Sequence, residues 1–188
     1  AALAAADGMG PFKLASGKTF RVGSNLTITK TLVVEPGAAF YVPTGVTLTV
    51  NGKLVVQGDH AVFTGPGAVV LGGGNLEAEA TWFGANVADF SQGAQRAVNA
   101  GVTKVHMPRC AGFWLYPLVV PQARSLELIW HGETCFFENE IAAFSYLRTS
   151  TSEGSNLTLT LNGSLLAELD MERSSTLVDF RGFATGTA

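Results

Sequence analysis

Phe40-Tyr41-Val42-Pro43-Thr44-Gly45-Val46-Thr47-Leu48-Thr49-Val50-Asn51-Gly52-Lys53-Leu54-Val55-Val56 is a set of three short apolar runs separated by two glycine-bearing turns. Val46, Leu48 and Val50 alternate with Thr47 and Thr49. That period belongs to an extended strand with one buried face. Each run is too short for a helix, and each ends at Pro-Thr-Gly or Asn-Gly-Lys, residue types that turn a chain sharply. An Asn-Gly turn also suits a hairpin, so a meander or sandwich competes with a solenoid for this stretch. Short strands with one inward face and glycine corners favour the solenoid, in which each repeat buries that face on its neighbours.

The pattern extends outward from Leu14 to Leu71. Thr19–Val22, Leu26–Thr29 and Leu32–Val34 precede the quoted stretch, and Ala61–Phe63 and Ala68–Leu71 follow it. Strand centres recur about every seven residues, so three strands make a repeat of roughly 20 residues, inside the range of solenoids. Residues 72–80, Gly-Gly-Gly-Asn-Leu-Glu-Ala-Glu-Ala, read as a flexible joint. The glycine triplet lacks the Lys and the strand–loop–helix setting of a phosphate loop. Ser91–Gly101 is the best helix in the chain. Asp89 or Ser91 caps its start, Gly101 stops it, and Ala94, Ala97 and Val98 make a face of small residues. Such a face lets a helix lie close on the open end of a β stack, whose strand edges need cover. Strands then resume: Thr103–Met107, Phe113–Tyr116, Leu118–Val119, Ser125–Trp130, Cys135–Phe137, Ala142–Leu147, Leu157–Leu161, Leu165–Met171 and Thr176–Phe180.

Composition agrees with an all-β protein. Of 188 residues, 47% are hydrophobic and 14% charged, and 22 are glycine, a balance that excludes a disordered chain. Net charge is −3 and the 12 basic residues are scattered, so the basic stripe of a nucleic-acid binder is missing. A sugar, read by aromatic faces and hydrogen bonds, fits this surface. Cys110 and Cys135 read as free thiols. His60, His106 and His131 lack any zinc spacing, and neither a metal nor a cofactor is expected. No apolar run reaches the ~18 residues of a membrane span. Ala1–Ala6 resembles part of a signal segment without its basic start; residues 1–12 read as a linker or short helix of a chain cut from a longer protein.

Two further stretches carry a family resemblance. Val62-Phe63-Thr64-Gly65-Pro66-Gly67-Ala68-Val69 leads across the glycine triplet to Ala80-Thr81-Trp82-Phe83-Gly84-Ala85. After these come Asp89, the alanine-rich helix and Val105-His106-Met107-Pro108. This order resembles bacteriophage tail spikes of the pectate-lyase-like kind, over roughly residues 13–140. The family's acidic loop before the helix reads Asn86-Val87-Ala88-Asp89-Phe90-Ser91 here, a departure from its usual form. The resemblance implies an all-β, right-handed parallel β-helix. It implies a β-rich attachment region over 13–80 and the start of the β-helix over 81–188, with a capping helix at 90–101. It further implies a homotrimer in the virion tail, made in the host cytoplasm. Its partners would be other tail proteins and bacterial capsule or O-antigen, which the parent protein would depolymerise.

The residue-level candidates for such chemistry lie late in the chain. Glu168, Asp170 and Glu172 alternate with Ala167, Leu169 and Met171, so one strand face would carry three carboxylates. Residues two apart on a strand lie ~6.6–6.8 Å apart, near the carboxyl spacing of an inverting glycosidase. The same pattern also describes a solvated outer face, and Asp179 has a similar standing. Trp114 and Tyr116 are candidate platforms for a sugar ring, with core packing the competing role. Trp130 shares a strand face with Leu126 and Leu128 and belongs to the core. Beside the spike segment stand two alternatives: a glycan hydrolase or lyase in its own right, and a non-catalytic carbohydrate-binding module.

Overall fold

The structure is a computed structural model. It describes residues 10–86, 88–110, 112–114, 116, 118–120, 125–130, 135–137, 145–149, 156–161, 167–169 and 176–179. The first nine strands are β1 (Phe12–Leu14), β2 (Thr19–Arg21), β3 (Leu26–Ile28), β4 (Leu32–Val34), β5 (Ala39–Tyr41), β6 (Thr47–Val50), β7 (Leu54–Val56), β8 (Phe63–Thr64) and β9 (Ala68–Leu71). β10 (Glu77–Glu79), a 3-10 turn at Ala80–Phe83 and helix α1 (Ser91–Asn99) follow. Then come β11 (Lys104–His106), β12 (Gly112–Trp114), β13 (Leu118–Val120), β14 (Ser125–Trp130), β15 (Cys135–Phe137), β16 (Ser145–Thr149), β17 (Asn156–Leu161), β18 (Ala167–Leu169) and β19 (Thr176–Asp179).

All strand pairs are parallel. Before the helix, strands one, four and seven form one sheet, two, five and eight a second, and three, six and nine a third. The chain therefore visits three sheets in turn and returns to each one strand further on. After the helix the rule repeats in β11-β14-β17, β12-β15-β18 and β13-β16-β19. The antiparallel hairpins that Asn51-Gly52 could have made are absent among the described residues; the turn instead passes the chain to the next sheet. Gly52 permits this because a Cβ there would strike the Lys30 carbonyl one repeat below.

Register turns this pairing into columns. Phe12, Leu32 and Leu54 stand side by side, as do Ile28, Val50 and Leu71. The most continuous column is aromatic. Phe20 meets Phe40 edge-on at 5.9 Å, Phe40 stacks on Phe63 at 6.3 Å, and Phe63 meets Phe83 at 5.1 Å. Burying each ring removes apolar area worth roughly 1.5–3 kcal/mol, and each ring pair adds about 0.5–1.5 kcal/mol. Phe83 belongs to the 3-10 turn, so the column crosses from sheets into the joint. One cluster of buried residues runs from Phe12 through Phe83, Ala97 and Val105 to Leu128.

The joint itself is ordered, in contrast to the flexible reading of residues 72–80. Glu77–Glu79 pairs with Lys104–His106. Asn75 replaces missing backbone. Phe12 N–H donates to Thr31 O, and Leu32 N–H donates to Lys53 O. In the next repeat Leu54 N–H donates instead to the Asn75 side-chain oxygen at 2.9 Å. The Asn75 amide nitrogen donates in turn to Val50, Gly52 and Gly72 carbonyls at 3.2, 2.8 and 2.7 Å. Val62 N–H donates to Trp82 O, and Leu71 N–H to Ala100 O. All three sheets of the first set thus find acceptors in the joint.

Helix α1 packs on the 3-10 turn, β11 and β13, and the Ala100 carbonyl at its end accepts the Leu71 N–H of the first set. Asp89 Oδ1 accepts Ser91 N–H at 2.8 Å, and Gly101 ends the helix with φ 104°. Ala94, Ala97 and Val98 are buried, together with Gly93. A Cβ on Gly93 would strike Ala85 and the Ala80 carbonyl, so glycine lets the helix touch the 3-10 turn. On the other side the Gln95 amide acts as a one-residue strand. Val119 N–H donates to Gln95 Oε1 at 2.7 Å, and Gln95 Nε2 donates to Val119 O at 3.0 Å. The edge of β13 is closed by a side chain.

Candidate functional site

Glu168 lies in β18 beside Phe136, and Asp170 and Glu172 lie outside the described residues. The backbone of Ala167–Leu169 pairs as a strand with Cys135–Phe137. Asp179 pairs with Arg148 in register. Trp114 lies in β12 beside Phe137. Tyr116 is 49% exposed, and its N–H donates to Ser91 Oγ at 3.1 Å, which holds this ring close to the start of α1. Leu126 and Leu128 are buried as their shared face requires, and Ile129 on the opposite parity is buried too. Trp130 stands beside Leu161.

A different group of residues meets at the joint. The corner before β8 brings Asp59 and His60, β10 brings Glu79, the 3-10 turn brings Thr81 and Trp82, and the segment after β11 brings Arg109 and Cys110. Two adjoining hollows result, of about 420 and 320 Å³. Asp59 and Arg109 line both. The joint creates them because β10 pairs with β11 and with no strand of the first set among the described residues. Asn75 bridges the gap at one end, and the rest stays open.

The groove sets two carboxylates beside an arginine. Burial pushes the Glu79 carboxyl above its usual range; His106 opposes this, the neighbouring Asp59 charge adds to it, and Arg109 opposes it. Taking a carboxylate out of water beside a second carboxylate favours its protonated form. Two positions back on the same strand, Glu77 behaves in the opposite way. Lys104 bonds it at 3.1 Å and draws its pKa below the usual range. Lys104 also reaches Glu127 at 3.6 Å, so an acid–base–acid ladder runs across β10, β11 and β14. One strand therefore carries a committed carboxylate and an uncommitted one. Trp82, partly buried against the core, gives the smaller hollow an aromatic wall. His60 is tied to the fold through Nε2, 3.0 Å from Ala38 O. The Thr81 hydroxyl is buried without a hydrogen-bond partner.

Sequence reasoning misses this grouping because its members lie far apart in the chain, at residues 59–60, 79–82 and 109–110. His60, Trp82 and Cys110 draw notice there only one at a time, and the glycine-rich reading of residues 72–80 hides Glu79.

On the far side of the helix lies a third hollow of about 590 Å³, walled by Gly65, Pro66, Phe83, Gln92, Arg96 and Asn99 among others. Arg96 is the one charged residue in its wall among the described residues. Among the described residues no group of three or more His, Cys, Asp or Glu is placed to hold a metal ion, and no helix is long and apolar enough to cross a membrane. Comparison of the chain with family models, curated proteins and solved structures finds no match.

Proposed function

We propose that this chain is a segment of a phage tail spike, built as a right-handed parallel β-helix, that recognises bacterial surface polysaccharide for a longer parent protein that depolymerises it. The observation that carries the reading is the parallel pairing of strands three places apart within each set, β1 to β9 before the helix and β11 to β19 after it. That rule, together with the order from Trp82-Phe83-Gly84-Ala85 through the helix to Val105-His106-Met107-Pro108, is what a spike of this family would need. A rigid stack with columns of buried side chains suits a protein that must hold a binding surface away from a particle. The groove at the joint supplies chemistry that suits a sugar: an aromatic wall, two carboxylates of which burial raises one above its usual range, and an arginine.

The test uses purified capsule and O-antigen from a panel of bacterial strains, incubated with the chain and read by calorimetry and by assay of new reducing ends. Micromolar binding to a subset of the panel, with a trimeric native mass, is the expected result. Release of reducing ends would add cleavage to adhesion, and unsaturated ends would identify a lyase. A monomer that binds no member of the panel would overturn the proposal.

A further inference from the structure

The hollow walled by Gln92, Arg96 and Asn99 contains a cation with no anion beside it among the described residues. The Arg96 guanidinium is half-buried, and burial pulls its pKa below the usual range with no acid opposing the shift. Nη1 donates to Phe83 O at 3.2 Å and Nη2 to Gly65 O at 2.9 Å. Both acceptors are neutral carbonyls, and the guanidinium keeps further N–H donors uncommitted. No carboxylate lies in salt-bridge range of Arg96 among the described residues; the charge pairs there are those of Lys104 and His106 with Glu77 and Glu127. A half-desolvated charge held in this way is an unmet electrostatic demand. Around it stand the exposed amides of Gln92 and Asn99, the exposed Pro66, and a volume of about 590 Å³. This exceeds one sugar ring and matches the usual size of small-ligand hollows, ~300–1,000 Å³.

We infer that this hollow is a subsite for a carboxylate-bearing sugar residue, such as a uronic acid, held by the free edge of Arg96 with Gln92 and Asn99 on its hydroxyls. Planar guanidinium and planar carboxylate pair through two parallel hydrogen bonds, and the exposed Pro66 suits the apolar face of a ring. In the groove on the other side of the joint, Arg109 already has Glu79 beside it. The inference rests on the polysaccharide reading above and narrows it to acidic glycans that present their carboxylates to one side of the helix.

Acidic capsular polysaccharides, each measured before and after chemical reduction of its carboxyl groups to alcohols, provide the probe. The wild-type chain should bind the acidic form at least about tenfold more tightly than its reduced twin, the worth of one charged hydrogen-bonded contact. Gln92→Glu is the decisive variant. It places a carboxylate one helical turn before Arg96, where such pairs form readily, in the first turn of α1, where a negative charge is welcome. It should raise the melting temperature while erasing the preference for the acidic form. Arg96→Gln should erase the preference too, and Arg96→Lys should keep part of it. Equal binding of acidic and reduced polymers would overturn this subsite and leave the polysaccharide reading in place. So would an undiminished preference in Gln92→Glu. If only self-association of the chain responded to these variants, the anion would come from a second copy and the sugar assignment would fall. Absence of binding to every polymer, acidic or reduced, would remove both readings together.

Discussion

The two sets of sheets obey one pairing rule with different repeat lengths. Before the helix, Phe12 pairs with Leu32, 20 residues on, and Leu32 with Leu54, 22 residues on. After it, Gly112 pairs with Cys135, 23 residues on, while Leu118 pairs with Leu147 at 29 and Ser125 with Asn156 at 31. Strands of two to four residues in the first set become six in β14 and β17. The columns fix how neighbours meet, yet they leave the perimeter free to grow. A wider repeat offers more outward positions per rung, and outward positions are where ligands are read. The lengthening sets in beyond the joint: Lys104 pairs with Glu127 and Gly112 with Cys135, both 23 residues on, as Phe40 pairs with Phe63 before it. The hollows that hold Asp59, Glu79, Arg109 and Arg96 lie at the joint itself.

The strongest way to break this comparison is to unfold one set without the other. Phe40→Ala removes the middle ring of the aromatic column, which has no exposed surface, at an expected cost of about 3–5 kcal/mol. Because the buried cluster continues through the joint, urea titrations followed by tryptophan fluorescence and by far-UV circular dichroism should move together to a lower midpoint. Two separated transitions would mean that the sets are independent units. The second experiment compares the amides that close each edge. Asn75→Ala strands the Leu54 N–H and should cost ~1–3 kcal/mol. Gln95→Ala exposes the Val119 pair to water, which can replace it, and should cost about 1 kcal/mol or less. Equal losses would erase the distinction between a partly buried closure and an exposed one.

The smallest effect sharpens the electrostatics of the joint. The folded pKa of Glu79 is raised, so its ionised form is disfavoured by folding. Stability should therefore fall as pH rises through the unfolded carboxylate value and on through the folded one. Glu79→Gln should be the more stable protein at neutral pH, by at most about 1 kcal/mol because water screens the site. The gain should vanish in acid, where Glu79 is protonated in both states. Denaturation midpoints at the two pH values decide it; a neutral-pH loss on substitution would mean that Glu79 is held as an anion by His106 and Arg109.

Strand positions were legible from the sequence because short alternating runs and glycine corners state them locally. Thr47–Val50, Leu54–Val56 and Ser125–Trp130 stand where the period places them, as does the helix between Asp89 and Gly101. The pairing partner of each strand follows from the repeat, which is also a local property. β10 was missed because Glu77-Ala78-Glu79 has one apolar residue and follows three glycines; its strand state comes from Lys104–His106, which no local signal announces. The candidate groove was illegible for the same reason. Asp59, Glu79, Trp82 and Arg109 converge only after the helix has been inserted and the chain has returned, and the shift at Glu79 needs burial that sequence spacing does not encode. The amide roles of Asn75 and Gln95 were equally hidden, since a turn asparagine and a helix-surface glutamine look ordinary in one dimension.

Asn75 has a consequence for how such a chain could arise. On one of the three sheets a side chain stands in for a strand, so that sheet's flanking backbones need not share a common phase, while Val62 and Leu71 keep the other two bonded across the break. A lineage exchanging what lies beyond would have to re-form those two backbone contacts and the buried seam, as a tool handle accepts only heads with a matching socket.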